Sequence, residues 1–144
     1  MTPPATSPPD TPAGTPPAAP APLVVAAALA GVEAALLVLF GVAELIAISG
    51  DRLTMGLTTV LFFVIYGAGL AWCAWRLTRL DSWARAPLVL AQLLQLGVAW
   101  SFWGGGSTPV AVGLGLLAVV VIAGVFHPAS LEALREREPG EPAP

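Results

Sequence analysis

From Leu23 to Ile48 the chain is apolar or small at every position except two acids, Glu33 and Glu44. A helix needs about 20 such residues to cross a hydrocarbon core of about 30 Å. Within lipid a backbone must bond to itself, so a run of this kind is a helix. Three further apolar runs follow, at about Met55–Trp75, Ala86–Trp103 and Pro109–Phe126. The expected fold is all-α: a polytopic membrane protein whose residues 23–127 form a bundle of four transmembrane helices. Charged residues make up 10% of the chain and the mean hydropathy is +0.81. A soluble domain carries about 25% charged residues, so too little charge is present to cover a water-facing surface.

The breaks between runs carry turn chemistry. Ser49–Arg52 reads SGDR, Arg76–Pro87 reads RLTRLDSWARAP, and Gly104–Pro109 reads GGGSTP. Pro87 and Pro109 suit the first turn of a helix, where the missing N–H has no partner to lose. All five tryptophans, Trp72, Trp75, Trp83, Trp100 and Trp103, fall at run ends. Indole favours the lipid–water interface, so these are expected interfacial anchors. With four spans, the two tails and the middle loop share one side. That side holds Arg76, Arg79, Arg85, Arg135 and Arg137, and the other only Arg52. Basic residues stay inside, which predicts a multi-pass protein of a bacterial cell membrane with cytoplasmic N- and C-termini. A chain whose basic residues are all Arg, rich in Ala and Pro, also suggests a GC-rich bacterial genome.

The first 22 residues contain nine prolines. They cannot build a core and are expected to be disordered, with polyproline II character. Their PxxP spacing follows from proline density alone. The first apolar run starts late, lacks a basic region before it and is too long for a signal peptide, although Ala47–Ser49 weakly imitates a cleavage site. Beyond the fourth run, a short helix is expected with Ser130 as its cap, Leu131 and Leu134 on one face, and Pro139 as its end. His127 reads as a polar anchor at the membrane surface. One Cys and one His leave too few ligands for a Cys/His metal site, and no cofactor is expected. The net charge of −3 argues against nucleic acid as a partner. Cys73, between Trp72 and Trp75, reads as a packing residue, and no enzyme is expected.

The two acids are the informative polar residues. Eleven residues apart, they lie within about 20° of one face and about 16 Å apart along the axis. Glu44, the outer-end acid, can snorkel toward water. Glu33 lies about 15 Å from the inner end and reaches neither surface. A carboxylate there is expected to be neutral, paired or facing a wet cavity. On the third helix Gln92 and Gln95 fall about 9 and 14 Å from the inner surface, and Tyr66 on the second about 14 Å. Glu33, Tyr66, Gln92 and Gln95 therefore form a candidate intramembrane polar cluster, in which a protonated Glu33 donating to a Gln carbonyl is the simplest arrangement. One reading is a structural tie between helices; the other is a protonation site for coupled transport. Small residues repeat at four-residue spacing in Ala27–Gly31–Ala35, Gly67–Ala71 and Ala111–Gly115, so helices, including those of a second copy or a membrane-protein partner, can approach closely.

The stretch WARAPLVLAQLLQLGVAW at Trp83–Trp100, with VEAALLVLFGVAEL in the first run and YGAGLAW in the second, resembles a family of small four-span membrane proteins of actinobacteria. The resemblance covers about Leu23–Leu134, and the positions that carry it are Glu33, Tyr66, Gly67, Trp83, Arg85, Pro87 and Gln92. It implies an integral membrane protein with no assigned activity. In architecture alone the chain is also similar to small multidrug transporters, which have four spans and a glutamate in the first; their third-span aromatic and glycine pattern is absent. The leading expectation is a non-enzymatic accessory or interaction module in the lipid bilayer. The alternative is a small proton-coupled transporter using Glu33.

Overall fold

A computed structural model describes residues 18–48, 53–104 and 106–136. Among these, all regular structure is helical: α1 (Ala21–Ala47), α2 (Leu53–Thr78), a single 3-10 turn (Ser82–Ala84), α3 (Arg85–Ser101), α4 (Thr108–Val125) and α5 (Pro128–Glu136). Three of them, α1, α2 and α4, are long and apolar enough to cross a membrane. The third expected span is also a helix, but with 17 residues α3 is the shortest of the four and carries both glutamines.

The proline at the start of α1 sets its boundary. Pro20 is extended, its carbonyl accepts the N–H groups of Leu23 and Val24 at 3.0 and 3.1 Å, and Pro22 occupies the first turn. The helix thus takes in the last two residues of the proline-rich tail expected over 1–22; residues 1–17 of that tail lie outside the described residues. So do the Ser49–Arg52 turn, Arg137 and the expected stop at Pro139.

The helices run up and down. Gly67 of α2 faces Ala34, Leu37 and Val38 of α1, and Gly41 of α1 faces Val60, Phe63 and Val64 of α2. Rising numbers on one helix meet falling numbers on the other, so the pair is antiparallel. A Cβ on Gly67 would lie 3.0 Å from the Ala34 carbonyl, which is the close backbone approach that small residues allow. α4 packs on the start of α1 in the same manner, with Gly124 against the Pro22 carbonyl and Ala26. Of the other small residues, Ala27 and Ala111 are buried, whereas Gly31 and Gly115 face open space.

The largest fully buried side chains, among them Leu23, Leu77, Leu88, Val125 and Leu134, gather at the end of the bundle that holds α5 and the α2–α3 turn. α5 closes that end, but not by the expected cap. His127 sits at its start, its carbonyl accepting from Ser130 and Leu131 and its Nδ1 from the Ala129 N–H at 3.3 Å. Ser130 is instead buried inside the helix, and its hydroxyl donates to the Gly124 carbonyl at 2.7 Å. A carbonyl at the end of α4 thereby gains a donor that its own helix cannot supply. Leu134 seals the same layer, and Leu131 is half-buried.

At the opposite end the helices are unequal. From Glu33 toward its C-terminal end, α1 continues for about 21 Å, to Ala47, at 1.5 Å per residue. α3 and α4 extend only about 9 Å beyond Gln95 and Leu114, which lie at the Glu33 level. The α1–α2 hairpin therefore overhangs the α3–α4 pair by about 12 Å. Large apolar side chains near this end of the two helices are open, with Ile46 81% and Met55 76% exposed.

Candidate functional site

α1 is uninterrupted from end to end, so Glu33 is carried to the middle of the bundle. It is only 5% exposed, and Gln92, which faces it from α3, is fully buried. The Gln92 amide Nε2 donates to Glu33 Oε2 at 2.7 Å, and the Gln95 Nε2 donates to Glu33 Oε1 at 2.9 Å. The second hydrogen of the Gln95 amide reaches the Leu114 carbonyl of α4 at 3.2 Å. One carboxyl group thus joins α1 to α3, and Gln95 extends the bridge to α4.

Both amides come from one face because Gln92 and Gln95 are three residues apart on a helix. The carboxyl receives one N–H on each oxygen, the arrangement that suits an acceptor with no cation beside it. The remaining atom of interest is Gln92 Oε1, which is buried and lacks a hydrogen-bond partner among the described residues. A buried amide oxygen without a donor costs about 1–3 kcal/mol, so its orientation is not dictated by bonds on that side. Rotating the Gln92 amide by half a turn would place Oε1 against Glu33. The pair could then share a proton donated by the carboxyl group.

Of the four residues in the expected cluster, three therefore come together. Tyr66 does not join them by a hydrogen bond. It is half-buried on α2, and its ring stacks on Phe62, with centroids 5.6 Å apart and planes within 8°. Phe62 lies four residues earlier on the same helix, and Tyr66 also packs against the core. Glu44 is half-buried near the outer end of α1. Cys73 is half-buried and packs against the core.

A second polar assembly sits at the α2–α3 turn. α2 ends in a reversal in which the Leu80 N–H reaches the Leu77 carbonyl and the Asp81 N–H reaches the Arg76 carbonyl, at 3.0 and 3.2 Å. Leu80 occupies the left-handed region, φ 61°, where glycine is usual. Its buried side chain holds it there. Arg76 Nε lies 2.8 Å from Asp81 Oδ2, a close ionic contact rather than an aligned hydrogen bond. The same guanidinium stands 5.7 Å from the Trp72 ring and 5.9 Å from the Trp83 ring. Arg79 lies 4.7 Å over Trp75 and is exposed. Arg85 is half-buried at the start of α3, and Arg135 is exposed on the last turn of α5. Trp100 and Trp103 are exposed at the far end of α3.

Sequence reasoning named the acid and both amides from depth and spacing. It missed the Leu114 carbonyl, because backbone groups carry no residue signature. It also missed the Ser130–Gly124 bond and the Arg76–Asp81 pair. The five-residue separation of Arg76 and Asp81 across a helix end was the available signal for the latter. Comparison of the chain with protein family models, with curated proteins and with solved structures returned no match.

Proposed function

We propose that this chain is a four-span protein of a bacterial cell membrane, with both termini cytoplasmic, and that it works without catalysis as an accessory or interaction module. The observation that carries this reading is the commitment of Glu33. Both carboxyl oxygens are taken up by amides of the same bundle. Meanwhile the outward faces carry large apolar side chains such as Leu39, Phe40, Phe62 and Ile65. Such a molecule spends its intramembrane polar groups on its own register and offers its surface to lipid, to a second copy or to another membrane protein. α3 supplies the third span with help from the 3-10 turn before it and Trp103 after it.

A second reading rests on Gln92 Oε1. An acceptor buried beside a carboxyl group, with no donor of its own, is what a proton-carrying glutamate would use in its protonated form. In that reading the protein is a small proton-coupled transporter with Glu33 as its protonation site. The two readings part in purified vesicles loaded with a pH-sensitive dye. Under an imposed proton gradient, the accessory reading expects the same leak with native protein and with Glu33→Gln. Proton flux that disappears in Glu33→Gln while the helical fold persists would replace the first reading with the second.

A further inference from the structure

We propose that the outward face of α2, near its C-terminal end, is a binding site for one anionic phospholipid. The headgroup phosphate would sit on Arg79, and an acyl chain would lie in the groove formed by Ala68, Ala71, Trp72 and Trp75. The proposal rests on the membrane-spanning reading of α2 and not on the activity of Glu33.

The groove is a shallow, largely open apolar surface lined by those four residues. Ala68, Trp72, Trp75 and Arg79 follow a 4, 3, 4 spacing and fall within about 60° of one helix face. The two alanines are exposed, and the two indoles, with centroids 5.2 Å apart, stand beside them toward the helix end. From Ala68 to Arg79 the stripe is about 16 Å long, close to half of a hydrocarbon core of about 30 Å. It therefore covers the depth of a single leaflet, apolar below and cationic at the top.

Charge selects the occupant. The three arginines around the α2–α3 turn are not equivalent. Arg76 is already matched with Asp81 at 2.8 Å and held between two indoles. Arg85 belongs to the start of α3 and is half-buried. Arg79 has no carboxylate within ion-pair distance among the described residues. Its guanidinium is held over the Trp75 ring at 4.7 Å. Stacking on an indole leaves the N–H edges free, and those edges match a phosphate in a forked geometry. Asp81, the acid of this turn, is occupied by Arg76 and does not offer itself to the cationic group of a zwitterionic headgroup. An anionic phospholipid satisfies both the groove and the unmatched charge.

The test uses the fluorescence of Trp72 and Trp75 in the full chain, with Trp83, Trp100 and Trp103 replaced by Phe. The protein is placed in nanodiscs of phosphatidylcholine containing a minor share of either phosphatidylglycerol or phosphatidylcholine with brominated chains. Bromine quenches only a neighbouring indole. A single Arg at the membrane surface favours an anionic lipid by about five-fold, and the quenching should report a preference of that order for phosphatidylglycerol. Arg79→Gln should remove the preference, and Arg85→Gln should keep it. Equal quenching by the two lipids, or a preference that survives Arg79→Gln, overturns the proposal. So does relief of quenching by inorganic phosphate in the buffer, which would identify a site for the free anion. A failure of α2 to span the membrane would show separately, as protein that does not co-elute with the nanodiscs.

Discussion

At the scale of single residues, the bond between Glu33 and Gln92 allows the sharpest test of the bundle. Replacing Glu33 by Leu leaves the fully buried Gln92 amide without any partner, while the Gln95 amide keeps the Leu114 carbonyl. The expected loss is about 1–3 kcal/mol, dominated by the stranded amide rather than by the bond itself. Adding Gln92→Leu removes the stranded group. The double variant should therefore recover about 1 kcal/mol relative to the sum of the single changes, read by steric trapping or by unfolding in detergent mixtures. Glu33→Gln has a different expectation. The new amide can donate to Gln92 Oε1 after that side chain turns, so stability should stay within about 1 kcal/mol of the native protein. A loss from Glu33→Gln as large as that from Glu33→Leu would show that the negative charge, and not the hydrogen-bonding shape, holds α1 to α3. Gly67 supplies a control for method and geometry. Its Cβ would lie 2.9 Å from Val38 Cγ2 and 3.0 Å from the Ala34 carbonyl, so Gly67→Ala should cost about 1–3 kcal/mol by forcing α1 and α2 apart. Gly31→Ala meets nothing within 4 Å and should be near neutral in the same assay.

At the scale of elements, α5 is too short to be stable alone and depends on its contacts. Ser130→Ala would strip the Gly124 carbonyl of its 2.7 Å donor at the end of α4, and should cost about 1 kcal/mol. Faster hydrogen exchange over 128–136 than over α4 would report the release of α5; exchange unchanged from the native protein would mean that Leu134 holds the helix without the serine. The same element shows how far the sequence could be read. Its existence and its apolar face were legible, because Leu131 and Leu134 follow the helical repeat. Its cap was not, because both Ser130 and His127 are polar residues near a helix start, and only the direction of α4 decides which one turns inward. The long helices were legible for a stronger reason: a run of apolar residues of membrane length has one low-energy conformation in lipid. Depth along each helix then followed from 1.5 Å per residue, and it brought Glu33 and Gln95 to one level. Rotation of each helix about its axis did not follow. Tyr66 stands at the right depth, but its ring stacks on Phe62 and the bonds to the acid come from Gln92 and Gln95; a one-dimensional pattern with apolar residues on every side leaves that angle free.

At the scale of the whole molecule, the unequal helix lengths turn the topology into a measurable depth. Glu44 lies about 16 Å beyond Glu33 on the overhanging part of α1, farther out than the ends of α3 and α4 at about 9 Å. With Glu33 near the middle of a core about 30 Å thick, that distance carries position 44 to the outer interface. Position 36, exposed on the same helix, stays within the hydrocarbon, only about 5 Å beyond Glu33. Arg79 marks the opposite surface, because α2 runs back toward the end closed by α5. A Cys73→Ala background removes the native thiol, and single cysteines at these three positions then report the arrangement in intact cells. A membrane-impermeant maleimide should label Glu44→Cys and leave Leu36→Cys and Arg79→Cys unmodified until the cells are opened, when Arg79→Cys should react. Labelling of Arg79→Cys from outside would invert the proposed orientation, and the five arginines of that side would then need another explanation. Labelling of neither Glu44→Cys nor Arg79→Cys in intact cells would mean that the overhang is sunk in lipid. The α1–α2 hairpin would then tilt or thicken the bilayer around the shorter α3–α4 pair.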